Sequence, residues 1–156
     1  MKYVVDTCII NKLMDGLIDL NNIPDDGDFV ASHIQIDELN KTKDQARRER
    51  LLLKFGQTVT QVGPTETKIL GVSRLDKCKL GDGAIYNIIK EELASLNGGK
   101  TNNTIDALIG EIAVSNEYTL LTADFHLAKV TKSHGCSVQY CGKLNNLSGC
   151  VKTGCK

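Results

Sequence analysis

The stretch IDALIGEIAVSNEYTLLTAD, residues 105–124, carries two periods in succession. Ile105, Leu108, Ile109, Ile112 and Ala113 share one face at helical spacing, and Tyr118 to Thr122 is a short apolar run of the kind that forms a buried strand. An acid stands at each end of the unit, Asp106 in the first turn of the helix and Asp124 just past the strand. Working outward, Asn97-Gly98-Gly99-Lys100 is a break. Before it, Ala84 to Leu96 predicts a helix with Asp82 as its N-cap. After Asp124, Phe125 to Ser133 predicts a short helix ended by Gly135, and Ser137 to Tyr140 a further strand.

The first half repeats the alternation. Tyr3-Val4-Val5 reads as a strand ending at Asp6, and Cys8, Ile9, Leu13, Leu17 and Leu20 follow at helical spacing. After a polar loop over 21–28, Phe29-Val30-Ala31 is a second strand. Ser32 and Gln35 form a capping box that opens one helix running through Leu39, Ala46 and Leu51 to Phe55, with Gly56 as its stop. Val59 to Val62 predicts a strand and Glu66 to Leu75 a helix. Strands alternating with helices imply an α/β fold. We expect a three-layer α/β/α sandwich around a mostly parallel sheet of about four to five strands. It would occupy residues 1–141 as one domain, with a basic, cysteine-containing tail over 142–156.

Of the 156 residues 41% are hydrophobic, enough for a packed core, and 19 bases balance 19 acids. The balance hides segregation. Residues 1–40 hold two lysines against eight acids, residues 41–54 six bases against two acids, and residues 125–156 five lysines and no acid. No hydrophobic run exceeds three residues, so we expect neither a membrane span nor a signal-peptide core, and a cytoplasmic location. Of six cysteines, Cys136, Cys141, Cys150 and Cys155 crowd the last 21 residues. Their spacing lies at the edge of the zinc range, and unpaired thiols are the favoured reading over a structural zinc. Cys8 reads as core, and His126 and His134 as surface residues of a short helix.

In parallel α/β sheets ligands collect at the carboxyl ends of the strands. Asp6 and Asp124 stand at two such ends. Glu38 lies in the first two turns of the helix after the second strand, and Asp106 in the first turn of the helix before the fourth. An acid near a helix start is ordinarily a dipole or cap interaction, but that does not explain Asp6, which directly follows a buried strand and needs a partner. Carboxylates converging on one sheet edge stay ionised best around a cation, and hard oxygen donors select Mg²⁺ or Mn²⁺.

The opening V-V-D-T (residues 4–7), the S-x-x-x-x-x-E of Ser32 to Glu38, the I-D-A-L-I of Ile105 to Ile109 and the T-x-D of Thr122 to Asp124 resemble PIN-domain nucleases. Order and spacing are similar to the small stand-alone members, including VapC-type toxins of toxin–antitoxin pairs. The resemblance covers residues 1 to about 140. It implies hydrolysis of RNA dependent on Mg²⁺ or Mn²⁺, with Asp6, Glu38, Asp106 and Asp124 as catalytic, metal-binding acids and Thr7 and Thr122 as supporting hydroxyls. It also implies an antitoxin protein as partner and a homodimer. Many members have Asn or Ser two residues after the first Asp, where this chain has Cys8. Asp37 competes with Glu38 for the second ligand, with the I-x-x-x-E-L pattern favouring Glu38. Asp82 is a candidate fifth acid, although a cap role is the favoured reading.

An acidic site needs basic flanks to attract a phosphate polymer. Lys43, Arg47 and Arg50, read as one face of the helix carrying Glu38, and Lys129 and Lys132 after Asp124 are the candidates for RNA contact. The alternative function is a non-catalytic PIN-like domain that binds nucleic acid or protein, whose mark would be a missing acid. Receiver and dehalogenase-like phosphotransfer domains also use an Asp after a parallel strand. The first need an Asp after the third strand, which Val59 to Val62 lacks, and the second need an Asp where Cys8 stands.

Overall fold

The computed structural model describes residues 1–18, 20–98 and 103–142. Five strands form one sheet, all paired in parallel: β1 (Lys2–Val5), β2 (Asp28–Ser32), β3 (Gln61–Gly63), β4 (Thr119–Thr122) and β5 (Val138–Tyr140). The order across the sheet is β3-β2-β1-β4-β5. Tyr3 pairs with Phe29 on one side of β1, and Val4 with Leu120 on the other.

Side chains alternate across a strand, and the two central strands feed both faces. Val4 and Leu120 pack with α4 (Ala84–Leu96), α5 (Thr104–Ser115) and α6 (Phe125–Ser133). Val5 and Leu121 pack with α1 (Thr7–Met14), α2 (His33–Asn40) and α3 (Gln45–Thr58). The sheet therefore has a helical layer on each face, as expected. Among the described residues no helix is long and apolar enough to cross a membrane. Gly99 and Lys100 of the expected break, and residues 143–156 with Cys150 and Cys155, lie outside the described residues.

Several expectations need correction. The helix opened by Ser32 does not run to Phe55. The capping box is present, but α2 ends at Asn40, and a new helix starts where the Asp44 side chain accepts the Arg47 N–H at 2.8 Å. Gly56 does not stop this helix, which continues to Thr58 with Val59 as its C-cap. The third strand accordingly starts at Gln61 rather than Val59. The first helix ends at Met14, so Leu17 lies beyond it, and Leu20 opens a short 3₁₀ turn.

The helix expected over Glu66 to Leu75 does not form. Ser73 Oγ donates to Thr67 O and accepts the Ile69 N–H, diverting backbone groups that a helix would use. Thr65 and Cys78 then pair as a parallel bridge, closing the segment into a loop. At the start of α4 the N-cap is Gly83, in a left-handed conformation at φ 75°, while Asp82 Oδ1 accepts the Ala84 N–H at 3.0 Å.

Candidate active site

Strand order decides where the acids meet. β1 and β4 are neighbours at the centre of the sheet, so the residues leaving their carboxyl ends are neighbours too. Asp6 follows β1 and caps α1; Asp124 lies two residues past β4 and caps α6, accepting the Leu127 N–H at 2.8 Å. Asp106 projects from the first turn of α5, and Glu38 from α2. All four line one open cleft of about 290 Å³, together with Thr7, Cys8, Asn11, Leu39 and Thr42.

The four carboxylates are not equivalent. Asp6 is 3% exposed. Its Oδ2 accepts the Thr122 O–H at 2.6 Å and the Cys8 S–H at 2.9 Å, and its Oδ1 the Cys8 N–H at 3.4 Å. Burial raises its pKa, the Cys8 and Thr122 bonds work against that, and Asp124 adds to it. Glu38 is half-buried, and its Oε2 makes no hydrogen bond of normal geometry. Burial raises its pKa before any other cause, the neighbouring Thr7 hydroxyl lowers it, the Asp6 charge raises it and Lys41 lowers it. Asp106 is pushed up to about 7, by burial first and then by Asp6, Asp124 and Glu38. Asp124 is exposed.

Whether a divalent cation suits this cleft can be judged from its donors. They are hard carboxylate oxygens, one of them a buried Glu38 oxygen that makes no hydrogen bond of normal geometry, and three of the four acids have raised pKa values. A cation would relieve both conditions. Among the described residues no three His, Cys, Asp or Glu side chains are already gathered on one point; the carboxylates stand around the cleft wall. The donor chemistry fits Mg²⁺ or Mn²⁺.

Of the rival acids, Asp37 turns away to pair with Arg74, and Asp82 serves the start of α4; neither lines the cleft. Thr7 does line it, with a buried Oγ1 that makes no hydrogen bond of normal geometry. Thr122 links Asp6 to the next loop, since its Oγ1 also accepts the Asp124 N–H at 2.9 Å. Cys8 is not simply core: it forms part of the cleft wall, and burial together with the Asp6 carboxylate pushes its pKa up, keeping the thiol protonated. Sequence reasoning missed Asn11 and Thr42 altogether. Asn11 lies one helical turn after Thr7, a signal that was available; Thr42 follows the unforeseen end of α2.

The basic candidates sit elsewhere. Lys43 is exposed in the α2–α3 link, not on the helix that carries Glu38. Arg47 binds both oxygens of Asp15, at 2.9 and 3.0 Å. Arg50 borders a separate shallow depression with Ala46, Glu49 and Leu53. Lys129 and Lys132 are exposed on α6. None of the five lines the acidic cleft. Of the histidines, His134 pairs with Glu92 and His126 contacts Asn97.

No family model and no curated relative matches the sequence. Solved structures do match. A domain of a functionally unknown protein from Methanocaldococcus jannaschii is 18% identical over 96% of this chain and 97% of that one, with a TM-score of 0.52. VapBC2 from Rickettsia felis, solved bound to a DNA fragment from their promoter, is 16% identical over 90% of this chain and 98% of that one, also with a TM-score of 0.52. At such identities the likeness is one of fold. That fold, a parallel sheet between helical layers, is the one the sequence resemblance implied.

Proposed function

We propose that the chain is a divalent-metal-dependent endoribonuclease acting as the toxin of a toxin–antitoxin pair. One observation carries the reading: four carboxylates, from positions 6, 38, 106 and 124, line a single cleft at the carboxyl edge of the sheet. Burial and the mutual repulsion of these acids disfavour their charge, and push Asp106 up to about 7. Asp6, Glu38, Asp106 and Asp124 would hold Mg²⁺ or Mn²⁺. Bound there, such an ion supplies charge neutralisation at a phosphodiester and a lowered pKa for water.

The chain's own groups do the rest. Glu38, on the cleft wall, would hold a second ion or orient the attacking water. Attack at phosphorus opposite the 3′ oxygen leaves a 5′-phosphate and a 3′-hydroxyl. Thr7, whose hydroxyl lies beside the Glu38 carboxylate, would be a supporting hydroxyl of the centre. Lys43, Arg50, Lys129 and Lys132 would hold flanking phosphates further along the strand, while Arg47 is engaged by Asp15. Likeness in fold to VapBC2 supports an antitoxin as partner.

The test is incubation of the purified chain with single-stranded RNA and Mn²⁺ or Mg²⁺. Cleavage should leave 5′-phosphate ends, stop with EDTA and fall by at least about a hundredfold in Asp6→Asn. Cleavage without metal, or undiminished by Asp6→Asn, would refute the proposal.

A further inference from the structure

We propose that Cys8 is a positioning residue of the acidic centre: its thiol commits Asp6 Oδ2 to protein donors and so leaves Oδ1 to bind the cation. This rests on the metal-dependent reading above and concerns one residue that reading does not use.

Two parallel relays meet on Asp6 Oδ2. In the first, Thr122 Oγ1 donates to Oδ2 at 2.6 Å and accepts the Asp124 N–H at 2.9 Å. In the second, Cys8 Sγ donates to the same oxygen at 2.9 Å and accepts the Ala123 N–H at 3.3 Å. The two relaying atoms are themselves 3.7 Å apart. One carboxylate oxygen is thus tied to the amides of consecutive residues in the loop that delivers Asp124.

A carboxylate oxygen offers about two acceptor directions. Both of those on Oδ2 are taken, whereas Oδ1 receives only the long 3.4 Å contact from the Cys8 amide. Oδ1 is therefore the atom with spare capacity for a cation. The thiol also ties the end of β1 to the loop after β4, fixing how far Asp6 stands from Asp124. A cysteine can do this because S–H is a donor and sulfur an acceptor. The departure from Asn or Ser at this position keeps a hydrogen bond to the first acid rather than losing it.

The experiment is a titration of the full chain with Mn²⁺ alone, followed by calorimetry and by the electron paramagnetic resonance signal of free Mn²⁺. Wild type is compared with Cys8→Ala and Cys8→Ser, and melting in EDTA is recorded for each. Removing a group that orients a metal ligand costs about 10–100-fold in affinity, and Cys8→Ala should show a loss of that size. Cys8→Ser, which keeps donor and acceptor, should recover most of it. If Cys8→Ala does not fold, Cys8→Val, which fills the space without a donor, replaces it. Unchanged Mn²⁺ affinity in Cys8→Ala, whatever its melting temperature, overturns the positioning role and leaves the metal reading intact. Equal weakness in Cys8→Ser overturns the relay. A wild-type chain that takes up no Mn²⁺ overturns the metal reading and this inference with it.

Discussion

Asp106 bears the electrostatic cost of the cleft most visibly. A carboxyl with an ordinary pKa of 3.8 is held at about 7 because burial disfavours its charge and Asp6, Asp124 and Glu38 repel it. The metal-free folded chain therefore holds a proton there that the unfolded chain has already released. Stability linked to this group is fully present below about pH 4 and lost as the pH rises through about 7. Asp6 and Glu38 are shifted in the same direction and reinforce the trend. Thermal melts of the EDTA-treated protein should fall across that window, and Asp106→Asn should flatten the fall and raise the melting temperature near pH 8. Each kcal/mol so recovered is worth about 2–4 °C in a chain of this size. A melting temperature that rose with pH over the same range would mean that the folded chain does not hold Asp106 protonated through this window. The four acids were legible because strand ends and helix starts can be read from apolar periodicity. Cys8 was not, because a thiol within Cys8-Ile9-Ile10 looks like any buried residue until the folded neighbours, Asp6 and Thr122, are known.

Elements bounded by side-chain bonds were harder to read than those bounded by apolar pattern. Helices α4 and α6 have the residue ranges expected from periodicity, because Ala84 to Leu96 buries an apolar face against α5 and α6, and Phe125 to Ser133 buries one against β4, β5 and the neighbouring helices. The α2–α3 break is different. The apolar spacing of Leu39, Leu51 and Phe55 runs across it, and only the capture of the Arg47 N–H by Asp44 marks the restart. Asp44→Ala should cost about 0.5–2 kcal/mol, as loss of an N-cap typically does, measured as a lower midpoint in urea at unchanged slope. Since Thr42 lines the cleft from this link, the same variant should weaken RNA cleavage more than it weakens Mn²⁺ binding. A variant as stable as wild type would show that packing of Leu51 and Phe55, rather than the cap, sets the break.

At the scale of the whole molecule, chain order reverses at β1: β2 and β3 lie to one side, β4 and β5 to the other. Such a switch point opens a crevice at the carboxyl ends of the central strands, and all four acids border it although as many as 118 residues separate Asp6 from Asp124. This much follows from alternating strands and helices. The loop over 65–79 does not, because its order comes from scattered polar ties. Thr67 Oγ1 donates to the buried Glu111 Oε1 at 2.6 Å, Asn116 and Lys79 both reach Glu66, and the Arg74 N–H is accepted by His33 Nε2 at 3.1 Å. Glu111 is a buried anchor on α5, five residues beyond Asp106, and burial raises its pKa while bonds from Thr67 and the Tyr86 backbone lower it. Glu111→Ala should leave α5 intact, since alanine is the better helix former, while stranding the Thr67 hydroxyl at a cost of about 1–3 kcal/mol. The loss should be local. Amide hydrogen exchange should accelerate across 65–79 and remain unchanged in β1 and β4, with Mn²⁺ affinity preserved. Acceleration spread evenly over the sheet would instead make Glu111 part of the common core, and the loop inseparable from the site it flanks.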